Sequence, residues 1–248
     1  MSKRVLVTGG AKGVGAAIVQ ALVQAGYDVD FTYRASGEAA RTLADELSSS
    51  HPQAVRTHSV DLADKGSLEI FCEAIQDESF YGFVHNAGQS YDVLAAMMAQ
   101  DKAEAAMQVN FWSFTRIAKA IMRGMIRART GRIVAIGSVA ALQANAGNAA
   151  YAASKGALIS YARTLAIETA KRGVTVNVIA PGFIDTDMMA PYAAYRATME
   201  SQIPAGRFAK PEEIAGLATF LMSPPAAYVT GATLPVDGGL TAMMGVHR

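Results

Sequence analysis

Residues 4–15 read Arg4-Val5-Leu6-Val7-Thr8-Gly9-Gly10-Ala11-Lys12-Gly13-Val14-Gly15. Arg4 to Thr8 is an apolar run of strand length, and Gly13 to Ala25 carries Val14, Ile18, Leu22 and Ala25 at helical spacing. A strand, a glycine-rich turn and a helix therefore follow in immediate succession. Such glycines let the backbone turn sharply and approach a pyrophosphate, which the free N–H groups of the next helix can hold. The spacing is T-G-x-x-x-G-x-G through Gly9, Gly13 and Gly15, with Lys12 and Val14 inside the turn. Glycines also cap and turn for structural reasons alone; the strand-turn-helix setting is what turns the reading toward a nucleotide.

The same alternation continues along the chain. Strands are predicted at Val29 to Tyr33, Ala54 to Ser59, Gly82 to His85, Arg132 to Ile136, Thr175 to Ile179 and Thr233 to Val236. Helices are predicted at Glu38 to Leu47, Lys65 to Ile75, Ala103 to Arg129, Tyr151 to Lys171 and Glu212 to Leu221. Apolar strands separated by crossover helices are covered on both faces, so the fold class is α/β, a Rossmann-like doubly wound parallel sheet. No repeat, linker or break in composition divides residues 1–248, and a single domain is expected. Residues 181–210, rich in Met, Ala, Tyr and Pro, follow the sixth strand where a substrate lid would sit. A plain surface excursion is the other reading of that segment.

Composition excludes several classes. The 248 residues are 51% hydrophobic and 17% charged, which argues against disorder. Lys and Arg total 22 against 21 for Asp and Glu, a net charge of +1 that gives no footprint for nucleic acid or a membrane surface. Cys72 is the single cysteine, so no intrachain disulfide framework is expected; His51, His58 and His247 show no ligand-like spacing, so no metal is expected either. The start, Met1-Ser2-Lys3-Arg4, leads into the strand without an apolar leader, and a cytoplasmic location is the expectation.

Chemistry is legible in the second half. Tyr151 and Lys155 are four residues apart on a helical segment and share one face. Ser138 closes the fifth strand, at the carboxyl edge where such sheets bind ligands. Tyr and Lys recur at this spacing on ordinary helices, but an ammonium beside a phenol favours the phenolate and tunes it for proton transfer to a carbonyl.

With Asp61-Leu62, Asn86-Ala87-Gly88, Asn110 and Pro181-Gly182 added to these motifs, the chain resembles the short-chain dehydrogenase/reductase family over essentially its whole length. The resemblance implies that Ser138 binds the substrate carbonyl, Tyr151 donates the proton, Lys155 tunes Tyr151 and holds the nicotinamide ribose, and Asn110 bends its helix and orders a relay water. It further implies that Asp61 and Leu62 meet the adenine, that Asn86, Ala87 and Gly88 lie beneath the adenosine ribose, and that Pro181, Gly182, Ile184 and Thr186 meet the nicotinamide end. Where an acid would select NAD the family's position is Tyr33, followed by Arg34; with Lys12 in the turn, two cations and no acid imply NADPH. Asp30 falls in mid-strand and is set aside. His85 departs from the common N-N-A-G and is left out of the mechanism.

Within the family the likeness is to 3-oxoacyl-[acyl-carrier-protein] reductases, through Tyr151-Ala152-Ala153-Ser154-Lys155, Pro181 to Met188 and Asp237-Gly238-Gly239. It implies NADPH-dependent reduction of a 3-oxoacyl thioester in fatty-acid, polyketide or polyene biosynthesis, with reduction of free ketones or alcohols, or nucleotide binding without catalysis, as alternatives. Arg129 and Arg172 match cations that dock acyl carrier protein, although both also suit helix C-termini. Met188, Met189, Pro191, Tyr192, Tyr195 and Met199 make the lid apolar, and packing onto the body is expected of them. Phe111, Phe114, Ile117, Ile121, Ile159 and Leu165 exceed the needs of one sheet face, and relatives pair these helices into a homotetramer.

Overall fold

The computed structural model describes residues 3–243; His247 and both ends of the expected domain lie outside them. The strands are β1 Arg4–Thr8, β2 Asp28–Tyr33, β3 Val55–Ser59, β4 Gly82–His85, β5 Gly131–Ile136, β6 Val174–Pro181 and β7 Thr233–Val236. The helices are α1 Gly13–Gln24, α2 Gly37–Ser50, α3 Lys65–Ile75, α4 Gln100–Met107, α5 Ser113–Ala128, α6 Ala149–Thr169, α7 Arg196–Ser201 and α8 Pro211–Met222. All pairings are parallel, in the order β3-β2-β1-β4-β5-β6-β7. The expected α/β doubly wound sheet is what forms. Its order reverses between β1 and β4, where Thr8 stands opposite His85, and such a reversal opens a crevice at the carboxyl edge.

Alternation along β1 divides the core between the two faces. Val5 and Val7 pack with Ile18, Leu22, Leu43, Ile214 and Leu221 beneath α1, α2 and α8. Leu6 packs with Phe83, Leu68, Ile117, Ile121 and Leu158 beneath α3, α5 and α6. With both faces covered, apolar runs replace alternation in the central strands.

Three expectations need correction. The helix predicted from Ala103 to Arg129 is not regular: α4 passes through a π-helical turn, Gln108–Trp112, into α5, and Asn110, where the resemblance implies a bend, lies in that turn. The hydrophobic period hardly registers one extra residue in a turn, so the sequence reads straight through it. Secondly, Phe114, Ile117, Ile121, Ile159 and Leu165 are buried in the chain's own core and Phe111 is half-buried, so they are not surplus to the sheet; Trp112 and Ile167, exposed at 50% and 81%, are the large apolar side chains these helices present outward. Thirdly, the apolar residues of segment 181–210 do not pack down as a group. A 3-10 stretch, Asp187–Tyr195, has no buried residue, and Met188 and Tyr195 are exposed. The anchors are instead Ile203 and Phe208, with Phe208 stacked on Phe183 at 5.5 Å and Ile184 bridged to Ala209.

The mid-strand acid Asp30 has a structural role. Its buried carboxylate accepts from Arg4 Nε and Nη2 at 2.6 Å each, and His58 Nε2 lies 2.7 Å away. Desolvation opposes its charge, but these partners win and hold the carboxyl down at about 2. Asp30→Ala leaves Arg4 half-paired and costs about 3–5 kcal/mol at neutral pH. Because the folded pKa lies below the unfolded one, the carboxylate's contribution is complete above about pH 4 and is lost as pH falls toward 2. Urea midpoints of wild type and variant converge over that window; a gap that stays constant would contradict this account.

Among the described residues no helix is long and apolar enough to cross a membrane.

Candidate active site

The crevice begins with a clasp between β1 and β4. Thr8 Oγ1 accepts the backbone N–H groups of Asn86 and Ala87 at 3.1 and 3.2 Å. Asn86 Nδ2 returns two hydrogen bonds, to the carbonyls of Thr8 at 3.2 Å and Gly9 at 3.0 Å. Gly9 and Gly13 have positive φ, +67° and +52°, which lets the chain double back tightly enough that a Cβ on Gly15 would overlap the Gly9 carbonyl oxygen. The turn delivers the chain to α1 with Lys12 and Gly13 exposed and no side chain capping the helix, so the N-terminus is open toward the crevice. Thr186 meets this turn from β6's far side, its Cγ2 lying 3.3 Å from where a Cβ on Gly13 would stand.

Between the turn and α2 runs an open cleft of about 580 Å³, lined by Lys12, Ala35, Ser36, Thr42, Leu43 and the acids Glu38 and Glu46, among others. Tyr33 ends β2 half-buried, and Arg34 follows it exposed. Ser36 caps α2 by position yet makes no capping bond, so its hydroxyl is available to a ligand; sequence reasoning passed over it although a serine just before Gly37-Glu38 is an ordinary helix-start signal. Asp61 caps its own turn by accepting from Ala63 N at 2.9 Å, and the Leu62 carbonyl accepts from Gln108 in the π-turn at 3.2 Å.

At the carboxyl edge, Ser138 follows β5 in extended conformation, with Oγ accepting from Ala140 N at 3.1 Å. Tyr151 lies in the first turn of α6 and Lys155 one turn later. The Ser138 hydroxyl lies near enough to the phenol to favour the phenolate by itself, but desolvation outweighs it and the Tyr151 pKa is raised. Lys155 is buried; its Nζ donates to the Ile136 carbonyl at 2.8 Å and lies 5.8 Å from the Tyr151 ring centre. Burial pushes its ammonium down to about 8. The expected tuning therefore differs: burial keeps the phenol protonated, while the Lys155 pKa is itself drawn down.

Asn110 is buried in the π-turn. Its Oδ1 accepts from Gln89 N at 2.7 Å, and Nδ2 donates to Gln89 O at 2.9 Å and Ser154 Oγ at 2.8 Å. Gly88 leaves room for this group, since a Cβ there would stand 3.3 Å from Lys155 Nζ and 3.4 Å from Asn110 Oδ1. Pro181 closes β6, and Gly182 fits closely against Asp237. Over the edge, Tyr192 donates to Asp92 Oδ2 at 2.6 Å, joining segment 181–210 to the loop after β4; Asp92 also raises the Tyr151 pKa.

Arg129 and Arg172 are brought together, but elsewhere. Arg129 ends α5 at φ 52° and donates to the Lys171 carbonyl at 3.2 Å, beside Arg172. Both precede their strands, so they lie at the amino edge of the sheet, opposite Ser138 and Tyr151. The 21 residues of α6 put about 30 Å between the two ends.

A parallel sheet with an open helix N-terminus at its reversal and Ser, Tyr and Lys converging on its carboxyl edge defines a class, the dinucleotide-dependent reductases of the single-sheet type. A family model described as enoyl-(acyl carrier protein) reductase matches residues 9–241. The 3-oxoacyl-[acyl-carrier-protein] reductase FabG of Vibrio cholerae is 41% identical over 242 residues, covering 96% of this chain and 97% of its own. The enzyme of that name from Escherichia coli is 40% identical over 243 residues, with 96% and 97% covered. Among solved structures, a variant of actinorhodin polyketide ketoreductase with NADPH superposes with a TM-score of 0.90 at 28% identity, covering 98% of each chain. The chain belongs to the short-chain dehydrogenase/reductase family.

Gly15→Ala forces the Gly9 carbonyl aside and destabilises the turn by about 1–3 kcal/mol. A thermal melt that matches wild type would show that the turn relaxes without cost.

Proposed function

We propose that this protein reduces a 3-oxoacyl thioester, carried on acyl carrier protein, to the 3-hydroxyacyl thioester with NADPH, in fatty-acid, polyketide or polyene biosynthesis. The observation that carries the reading is the meeting of Ser138, at the end of β5, with a Tyr151 phenol that burial keeps protonated and with Lys155 one turn further along α6. The FabG relatives and the polyketide ketoreductase support the choice of substrate.

The residues present fit the cofactor. A dinucleotide phosphate suits the uncapped N-terminus of α1 and the turn of Gly9, Gly13, Val14 and Gly15. Lys12, Arg34 and the free Ser36 hydroxyl suit a 2′-phosphate beside the ribose, with Tyr33 alongside. Asp61 and Leu62 border the adenine, Asn86, Ala87 and Gly88 the adenosine ribose, and Pro181, Gly182, Ile184 and Thr186 the nicotinamide. Bound NADPH supplies hydride. Ser138 orients the carbonyl oxygen, and Tyr151 gives it a proton as negative charge develops there. Lys155 holds the ribose and, when charged, eases Tyr151 toward phenolate; Asn110 fixes the π-turn behind them.

Residues 181–210 form the lid, latched by Tyr192 on Asp92. Arg129 and Arg172 dock the acidic carrier, and because they lie at the far end of α6 they serve the neighbouring site of a homotetramer whose paired helices run antiparallel. The reading goes with a cytoplasmic enzyme.

NADPH oxidation is expected with a 3-oxoacyl thioester, faster on carrier protein than on coenzyme A. Tyr151→Phe lowers kcat by about 10²–10⁴-fold and leaves NADPH affinity intact. Silence on both thioesters with NADPH still bound would move the substrate to free ketones or alcohols. Arg34→Asp weakens NADPH by about tenfold, or about 1.4 kcal/mol, and favours NADH; unchanged cofactor preference would remove Arg34 from the site.

A further inference from the structure

His85 closes β4, is fully buried, and packs its ring against those of Phe83 and Phe114, at centroid distances of 6.0 and 5.4 Å, while those two stack on each other at 5.8 Å. Its Nδ1 lies 3.0 Å from Thr8 Oγ1. That oxygen already accepts two backbone N–H groups, those of Asn86 and Ala87. A hydroxyl has two lone pairs and one hydrogen, so with both lone pairs engaged the hydrogen points to His85 Nδ1. Nδ1 is then an acceptor, and the ring hydrogen is on Nε2.

An imidazolium is disfavoured here. Burial and the nearby Lys155 push the His85 pKa down to about 3. The Nε2 atom makes no hydrogen bond in the structure, and the backbone of Val109 and Asn110, close to the ring, pulls in the opposite direction. Both residues belong to the π-turn. A donor aimed at that turn on one side and an acceptor on Thr8 on the other makes the ring a spacer of fixed polarity. Its two ends are the glycine turn and the element that carries Asn110, which in turn grips Gln89 and Ser154 beside Lys155.

We propose that His85, as the neutral Nε2–H tautomer, is a positioning residue that keeps the glycine turn in register with the π-turn, and thereby with the group of Asn110, Ser138, Tyr151 and Lys155. The role rests on the catalytic reading of that group. A ring that merely fills volume would tolerate phenylalanine; a polar spacer would not.

The test compares wild type, His85→Phe and His85→Gln in the full chain. The phenylalanine variant fills the space without either polar atom, and glutamine restores an acceptor and a donor. His85→Phe is expected to fold, to lose about tenfold in kcat at saturating thioester and NADPH, and to change the thioester KM little; His85→Gln recovers most of the loss. Wild-type turnover in His85→Phe, or no recovery in His85→Gln, overturns the proposal. Nitrogen-15 spectra of wild-type histidines supply a readout independent of turnover and of variant folding. One resonance set must show protonated Nε2 and acceptor Nδ1, unchanged between about pH 5.5 and 8. Protonated Nδ1, or titration in that range, overturns the assignment even if the thioester is the wrong substrate.

Discussion

The hydroxyl of Thr8 is the point on which the site depends. It gathers two backbone N–H groups from the chain leaving β4 and touches the His85 ring, at the place where the strand order reverses. Asn86 completes the clasp by gripping the carbonyls of Thr8 and Gly9. A crevice at a sheet reversal is only a gap until its two walls are joined, and these bonds join them. The open end of α1, the cleft beside α2 and the seat of Asn110 all take their places from that junction.

Electrostatics in the catalytic group are governed more by burial than by pairing. Lys155 has one carbonyl partner, that of Ile136, and its loss of water draws its pKa down to about 8. Tyr151 loses water too and keeps its proton despite the nearby Ser138 hydroxyl. The contrast with Asp30 is instructive, since there the partners defeat burial and the carboxylate stays charged. One buried ion pair ties β1 to β2, whereas at the carboxyl end burial draws the Lys155 ammonium down to about 8 and holds the Tyr151 phenol protonated.

Much of this was legible in the sequence. Strand positions were readable because a sheet covered on both faces needs unbroken apolar runs, and the glycine turn because its neighbours were so regular. Ser138, Tyr151 and Lys155 could be singled out by type and spacing, and the structure brings them to one edge. The hydrophobic period did not show the π-turn, since one inserted residue hardly disturbs it; only the resemblance at Asn110 pointed to a bend there. Burial of Phe114, Ile117, Ile121, Ile159 and Leu165 was misread because a count of apolar residues cannot tell the inner face of a helix from the outer one. Ser36 was missed because a cap is judged by its bonds, and a sequence does not say which hydroxyls go unused. The distance of Arg129 and Arg172 from Tyr151 follows from topology, which residue-by-residue resemblance leaves out.

The clasp also has a consequence for how the protein comes into being. β1 is the first strand made, but its neighbour β4 is separated from it by two other strands and three helices. Thr8 therefore waits for Asn86 and Ala87 to be synthesised before its hydroxyl finds its partners. On a ribosome adding about 5–20 residues per second, the first half of the fold spends several seconds with that turn unclosed. Contacts so far apart in the chain are slow to form and leave strand edges bare meanwhile. The glycine turn is thus made well before the segment that closes the nucleotide crevice over it.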